Sequence, residues 1–180
     1  MSMPLYMKNS VGIGISIFSD DNIIINNFIT ESEFDGVVIF GNDRNIIKGN
    51  KIVNGRIRLD TSVNGTADDN QVLDNTIIAS GRFEGISVVG KRNVIQGNTI
   101  DQSGGNGIEV ASFSRFVSEG VIIKKNSITN SNGDGGIKIR SLNGAVTLNT
   151  VIIDNTFAGN DNLVDGGDGT TKAGNTPSLM

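Results

Sequence analysis

Apolar and polar residues alternate along most of this chain in short segments, a pattern that predicts β-strands. The clearest segment is NVIQGNTI at residues 93–100, and it returns in altered form five more times. Every copy has Ile or Val three positions before a shared Asn, and Ile or Phe two positions after it. Intervals of 23 to 29 residues between these Asn indicate one unit stacked on copies of itself. The shared residues are Asn27, Asn50, Asn75, Asn98, Asn126 and Asn155.

A second strand in each repeat starts at a Gly that is followed by alternating aliphatic residues. Gly85 begins GISV, Gly107 begins GIEV and Gly136 begins GIKI, whereas in the second repeat Arg56 takes the place of this Gly. Two or three short strands and tight turns within one repeat describe a single coil of a parallel β-helix. We therefore predict an all-β fold, a single-stranded solenoid of about six coils.

The shared Asn has a structural task in such a coil. Two strands meet within about two residues, and we expect the Asn to adopt the left-handed backbone conformation that this corner needs. Its side chain can then bond the Asn of the next coil, about 4.8 Å away along the stack. The sequence thus predicts an internal Asn ladder within an Ile-lined core.

Composition agrees with a solenoid and excludes several kinds of chemistry. Asn, Gly and Ile together supply 72 of the 180 residues. Without any Cys or His, the chain can form neither a disulfide nor a Ser-His triad, and it lacks the commonest general base. The net charge of −4 argues against nucleic acid as a partner, and no apolar run is long enough to cross a membrane.

The repeats predict a β-helix domain over residues 1–157, followed by a Gly/Asp-rich tail over residues 158–180. No amphipathic capping helix precedes the first repeat. We therefore expect the open first coil to be covered by another chain, by a missing segment or by a homo-oligomer. Three longer loops follow Gly-led strands or their equivalents and should flank one face: residues 60–69, 111–119 and 140–149.

In a Gly-led strand the first and third residues after the Gly should point inward, and the second and fourth outward. The outward positions define a face that is apolar at one end, at Phe18 and Phe40, and charged further along. We expect Glu109 and Lys138, on adjacent coils, to form an ion pair. The first outward column is Ser16, Val38, Arg58, Ser87, Glu109 and Lys138.

This face is a candidate groove for an extended, acidic polysaccharide. Asp60 and Glu109, two coils apart, are candidate catalytic carboxyl groups, with Lys138 as a third catalytic candidate. Basic side chains could hold sugar carboxylates or a developing anion. The alternative is a solvated sheet face with opposite charges on neighbouring strands. The candidate substrate-binding residues are Arg56, Arg58, Ser87 and Arg140.

The segment AGNDNLVDGGDG at residues 158–169 suggests a calcium-binding nonapeptide repeat with one residue too many. We predict no obligatory cofactor. Calcium is a possible bound ion, with Asp161, Asp165 and Asp168 as its candidate ligands. The paired Asp residues at 20–21 and 68–69 are further calcium candidates, although paired Asp is common in turns.

The Gly-led strands and the Ile-x-x-Asn-x-Ile corners over residues 11–157 resemble the right-handed parallel β-helix of the pectin-lyase-like superfamily. That superfamily includes pectate lyases, polygalacturonases, mannuronan C5-epimerases and phage tailspike depolymerases. The resemblance implies a right-handed coil, a polysaccharide partner and an extracellular, virion or cell-surface location. The His-containing catalytic segments of the epimerases and polygalacturonases are missing, so no catalytic residue is carried over.

Two functions remain open at this point. One is a carbohydrate-directed β-helix that binds or processes a polysaccharide as a lyase, epimerase or glycoside hydrolase. The other is a non-catalytic, oligomeric module such as a spike shaft, suggested by the open first coil and the outward Phe18 and Phe40.

Overall fold

The computed structural model describes residues 5–8, 12–63, 65–159 and 162–177, and within them it shows short strands joined by turns and loops. The strands form three sheets, A, B and C. Sheet A contains β1 (Tyr6–Lys8), β4 (Phe28–Thr30), β7 (Lys51–Val53), β10 (Thr76–Ile78), β13 (Thr99–Asp101), β16 (Ser127–Thr129), β19 (Thr156–Ala158) and β22 (Thr176–Pro177). Sheet B contains β2 (Ile13–Ile17), β5 (Asp35–Phe40), β8 (Arg56–Asp60), β11 (Ile86–Val88), β14 (Ile108–Phe113), β17 (Ile137–Leu142) and β20 (Leu163–Asp165). Sheet C contains β3 (Ile23–Ile25), β6 (Ile46–Lys48), β9 (Gln71–Leu73), β12 (Val94–Gln96), β15 (Ile122–Lys124), β18 (Val151–Ile153) and β21 (Thr171–Ala173).

Each coil runs through a strand of sheet C, then sheet A, then sheet B, and every strand pairs in parallel with its counterpart one coil away. The result is a parallel β-solenoid of about seven turns, which confirms the predicted fold class. Among the described residues, none lies in a helix that is both long and apolar enough to cross a membrane.

The core consists of aliphatic columns that run along the solenoid axis. Ile95 of sheet C lies in register with Ile123, and Ile100 of sheet A with Ile128; all four side chains are fully buried. Both apolar columns of the sequence repeat are therefore interior, as their spacing predicts.

The predicted Asn ladder is present and lies inside this core. Asn98 donates from its side-chain Nδ2 to Oδ1 of Asn126 at 2.9 Å, and its backbone N–H donates to the same oxygen. Its Nδ2 also donates to the Val72 carbonyl, so the amide satisfies backbone groups as well. The bonds continue from Asn27 to Asn175, one coil beyond the last copy found in the sequence.

One detail of the corner prediction was wrong. The left-handed conformation belongs to the residue before each ladder Asn, for example Gly97 with φ +68° and Lys125 with φ +55°. Asn98 and Asn126 do not have a positive φ. Placing the left-handed residue outside the ladder leaves the Asn side chain directed into the core, where it can accept bonds from the preceding coil.

The Gly that starts most sheet B strands is explained by packing. A Cβ at Gly107 would lie 2.3 Å from Cγ2 of Ile128 and 2.6 Å from the Gly136 carbonyl oxygen. Where Arg56 replaces this Gly, the pairing of β5 with β8 shifts register between Asp35 and Val37. The chain thus accommodates a side chain at this column by an irregularity in the neighbouring strand.

The solenoid continues past residue 157, where the sequence predicted a tail. β20 pairs with β17, β21 with β18 and β22 with β19. The repeat is hard to recognise here because several side chains are exposed, including those of Thr171 and Lys172, and the pattern of buried aliphatic residues is lost.

Candidate functional site

The outward face of sheet B is bordered on one edge by the three predicted long loops. They connect β8 to β9, β14 to β15 and β17 to β18, so all leave sheet B on the side that leads to sheet C. The residues of the predicted outward column lie directly opposite one another on neighbouring strands of sheet B, although Val38 and Glu109 among them are buried. The register runs Ser16, Val38, Arg58, Ser87, Glu109 and Lys138.

Toward the N-terminal end of this face, a buried carboxylate joins two Arg side chains. Asp35 is completely buried, and its two carboxylate oxygens accept hydrogen bonds from Arg56 at 2.7 Å and Arg58 at 2.8 Å. Arg58 also pairs with Asp60, and Arg56 with Glu84 at 2.9 Å. The two guanidinium groups are therefore neutralised by three carboxylates in one continuous network.

An aromatic ring lies against each of the two guanidinium groups of this network. The Arg56 guanidinium lies 4.3 Å from the centroid of the Phe83 ring, and that of Arg58 lies 5.2 Å from the Phe40 ring. Phe40 in turn stacks on Phe18, which is 72% exposed. The apolar end of the face predicted from the sequence thus exists and continues directly into the charged network.

Glu109 lies at the centre of the second charged group. Its two carboxylate oxygens accept hydrogen bonds from the Arg140 guanidinium at 3.0 Å and from the Asn106 side-chain amide at 2.9 Å. Burial raises the pKa of the Glu109 carboxyl, and the nearby negative charge of Glu84 raises it further, against the opposing effect of Arg140 and Asn106. The protonated form is consequently more populated than in an exposed Glu at the same pH.

The predicted ion pair between Glu109 and Lys138 is wrong. Although the two residues are directly opposite in register, Lys138 pairs with Asp134 and Glu109 pairs with Arg140. Asp134 is only four residues from Lys138, and Arg140 can reach Glu109 diagonally across the strand pair.

The candidate catalytic groups do not converge on one point. Asp60 belongs to the Arg58 network, Glu109 is two strands away, and Lys138 lies one strand further along the sheet. Burial raises the pKa of the Glu109 carboxyl. Ser87, half-buried, lies between Arg58 and Glu109 in register and marks the middle of the face.

Two open cavities lie along the loop edge of the face, and both are lined by Val63. One, of about 370 Å³, is next to Phe18 and Phe40 and includes the hydroxyl-bearing Thr61. The other, of about 390 Å³, lies further along the solenoid between the first and second long loops. Its lining includes Thr66, Lys91, Arg115 and Phe116.

Among the calcium candidates that the structure describes, the carboxylate of Asp165 has partners within the protein. Asp165 pairs with Lys172 at 2.7 Å and accepts bonds from Thr170 and the Gly167 amide. Asp168 contributes backbone bonds to the neighbouring coil, and Asp161 lies outside the described residues. Within residues 5–8, 12–63, 65–159 and 162–177, no group of three or more acidic side chains is placed to hold a metal ion.

The other acidic pairs are also bound to Arg side chains one coil away. Arg44 donates to Asp20 and Asp21, and Arg92 donates to Asp69. These bonds lower the pKa of Asp21 and Asp69. The paired Asp residues therefore act in the structure as partners of Arg.

Sequence reasoning missed Asp35, Glu84, Lys91 and Arg115. A signal for Asp35 existed, because Arg56 in the Gly column needs a counter-charge and Asp35 precedes Gly36 in the adjacent coil. The other three lie in turns or loops, whose geometry the strand periodicity does not encode.

Comparison with known proteins defines the class. The chain belongs to the right-handed β-helix family, since the model described as "Right handed beta helix region" matches residues 6–157. The fold is that of the pectin-lyase-like type. No curated protein matches the chain.

Solved structures with the same fold include enzymes that act on polysaccharides. The chain resembles a mannuronic acid specific polysaccharide family 6 lyase from human gut microbiota, with a TM-score of 0.61, 15% identity and coverage of 98% of this chain and 58% of that one. It also resembles the A-module of the Azotobacter vinelandii mannuronan C-5 epimerase AlgE6, with a TM-score of 0.60, 14% identity and coverage of 98% and 58%. The chain thus spans less than two thirds of either structure, and at these identities the likeness shows the fold alone.

Proposed function

We propose that this protein binds an extended acidic polysaccharide along the outward face of sheet B. The main support for the proposal is the row of buried and half-buried charged and polar groups on this one face, bordered by loops and cavities on one edge. Parallel strands 4.8 Å apart present these groups at regular intervals, which suits a polymer with a repeating unit. The fold similarity to enzymes that act on mannuronic acid polymers makes polymannuronate the first ligand to test.

The test is to block the middle of the face. Ser87→Trp would place a large ring between Arg58 and Glu109, whereas Thr99→Trp, on the exposed face of sheet A, is the matched control. Titration calorimetry with polymannuronate, and with a neutral mannan for comparison, should show binding to the acidic polymer that Ser87→Trp abolishes and Thr99→Trp retains. Equal binding by both variants, or no binding by the unmodified protein, would overturn the proposal.

If the protein also processes its ligand, Glu109 is the best candidate for proton transfer. A general acid must be protonated when it acts, and burial favours that form. Product formation should therefore fall as pH rises through the elevated pKa of Glu109, and Glu109→Gln should lose product while keeping affinity. A variant as active as the unmodified protein would show that Glu109 has no part in the reaction.

The proposal implies a location where such polymers occur, outside the cell or on a cell or virion surface. It rests on the outward face alone, so it does not require calcium or an oligomer. Calcium binding near the C-terminal coil remains a separate prediction.

A further inference from the structure

The basic groups on the sheet B face are already occupied by protein carboxylates. Arg56 and Arg58 share Asp35, Lys138 pairs with Asp134, and Arg140 pairs with Glu109. An anionic ligand would have to displace one of these internal partners, several of which are buried. The recognition of negative charge therefore needs cations outside these pairs.

Two such cations line the same cavity on the loop edge. Within the described parts of the chain, Lys91 and Arg115 have no carboxylate within ion-pair distance, and both border the 390 Å³ cavity between the first two long loops. The Arg115 guanidinium lies 4.9 Å from the centroid of the Phe116 ring, which borders the same space. This contact leaves the guanidinium hydrogen-bond donors available, because a ring face does not neutralise charge as a carboxylate does.

Asp68 and Glu119 adjoin Lys91 through its backbone, and neither carboxylate forms an ion pair with its ammonium group. Asp68 accepts bonds from the Thr66 hydroxyl and from the backbone N–H of Lys91, and it lies 3.7 Å from Arg92. Glu119 is opposite Lys91 in an isolated bridge, but its carboxylate makes no ion pair with that ammonium and does not line the cavity.

We propose that Lys91 and Arg115 form an anion-binding subsite, which takes a carboxylate-bearing sugar unit at the loop edge of the sheet B face. The two cations would hold the carboxylate, Phe116 would contact the apolar side of the sugar ring, and the Thr66 hydroxyl would add a polar contact. A cavity of this size is in the usual range for small ligands. This subsite rests on the proposed function. It assigns recognition of the ligand's negative charge to Lys91 and Arg115, because the basic groups on the face itself are already paired with protein carboxylates.

The test compares two double variants that remove the same charge. Lys91→Gln/Arg115→Gln changes the subsite, and Lys51→Gln/Lys124→Gln changes cations on sheets A and C, away from the cavity. Neither subsite residue has an ion pair in the described structure, so the melting temperature of the first variant should match that of the unmodified protein. Affinity for short mannuronate oligomers is measured by calorimetry at low and high salt.

We expect the subsite variant to bind these oligomers about tenfold more weakly and with a smaller salt dependence, while the control variant binds almost normally. Equal affinity of the subsite variant and the unmodified protein would overturn the subsite but leave the proposed function intact. Equal losses in both double variants would also overturn it, because they would indicate general attraction to net charge. If the unmodified protein binds no acidic oligomer, both proposals fail.

Discussion

At the scale of single residues, the ladder Asn are the positions with the most structural consequences. The side-chain oxygen of Asn98 accepts hydrogen bonds from both the backbone and the side chain of Asn75, and its Nδ2 donates to Asn126 and to the carbonyl of Val72. All of these groups are buried, so none can turn to water if the amide is lost. A polar residue is thus essential within an apolar core.

Replacing Asn98 with Leu should lower the free energy of unfolding by roughly 2–4 kcal/mol, because the Asn75 donors are left buried without an acceptor. Gln96→Leu, in the same coil but on the outside of sheet C, is the control and should change it by less than about 0.5 kcal/mol. Urea denaturation followed by circular dichroism measures both. If the two variants were equally stable, the ladder would contribute nothing to stability.

At the scale of elements, the outward side of sheet B carries a network of charged side chains around Asp35. The network around Asp35 links β5 to β8 and to the turn before β11, and it coincides with the register shift between Asp35 and Val37. A buried carboxylate with two Arg partners is costly to dismantle, because removing the anion takes from each half-buried guanidinium group its most deeply buried partner and leaves only Glu84 for Arg56 and Asp60 for Arg58.

Asp35→Asn should therefore destabilise the fold by about 3–5 kcal/mol. Asp20→Asn is a suitable comparison, since Asp20 also pairs with an Arg in the next coil but is much more exposed. Its cost should stay within about 1 kcal/mol. Thermal and urea unfolding would measure the stability that each variant loses. A larger loss of stability for Asp20→Asn than for Asp35→Asn would contradict the role assigned to burial.

At the scale of the whole molecule, stacking decides both stability and the location of the site. Each coil contacts only its neighbours, so the central coils have packing partners on two sides and the outermost described coils on one. The same stacking brings loops that are distant in sequence to one edge, where Lys91 and Arg115 face a shared cavity.

Amide hydrogen exchange should consequently be slowest in the central strands β12 and β13 and fastest in β20, β21 and β22 of this chain. Exchange measured by mass spectrometry on peptides would give this profile directly. Uniform protection from the first coil to the last would mean that the solenoid opens only as a single unit.

Strand periodicity was enough to predict the solenoid, its aliphatic columns, the Asn ladder and the register of the outward face. These features repeat because neighbouring coils impose the same environment on equivalent positions, so one sequence reveals them several times. The corner conformation was assigned one residue too late, and the last coil was missed because its alternation of buried aliphatic residues is weak.

The pairing of charges was decided only by the tertiary structure. Register alone places Lys138 opposite Glu109. Because of side-chain reach and turn geometry, however, Lys138 forms its ion pair with Asp134, and Arg140 pairs with Glu109. The cavity with Lys91 and Arg115 likewise depends on how two non-repeating loops fold against each other. The sequence by itself determined the scaffold because the same pattern of buried positions recurs in every coil. Each charged contact, in contrast, occurs only once and depends on distances that the tertiary structure sets.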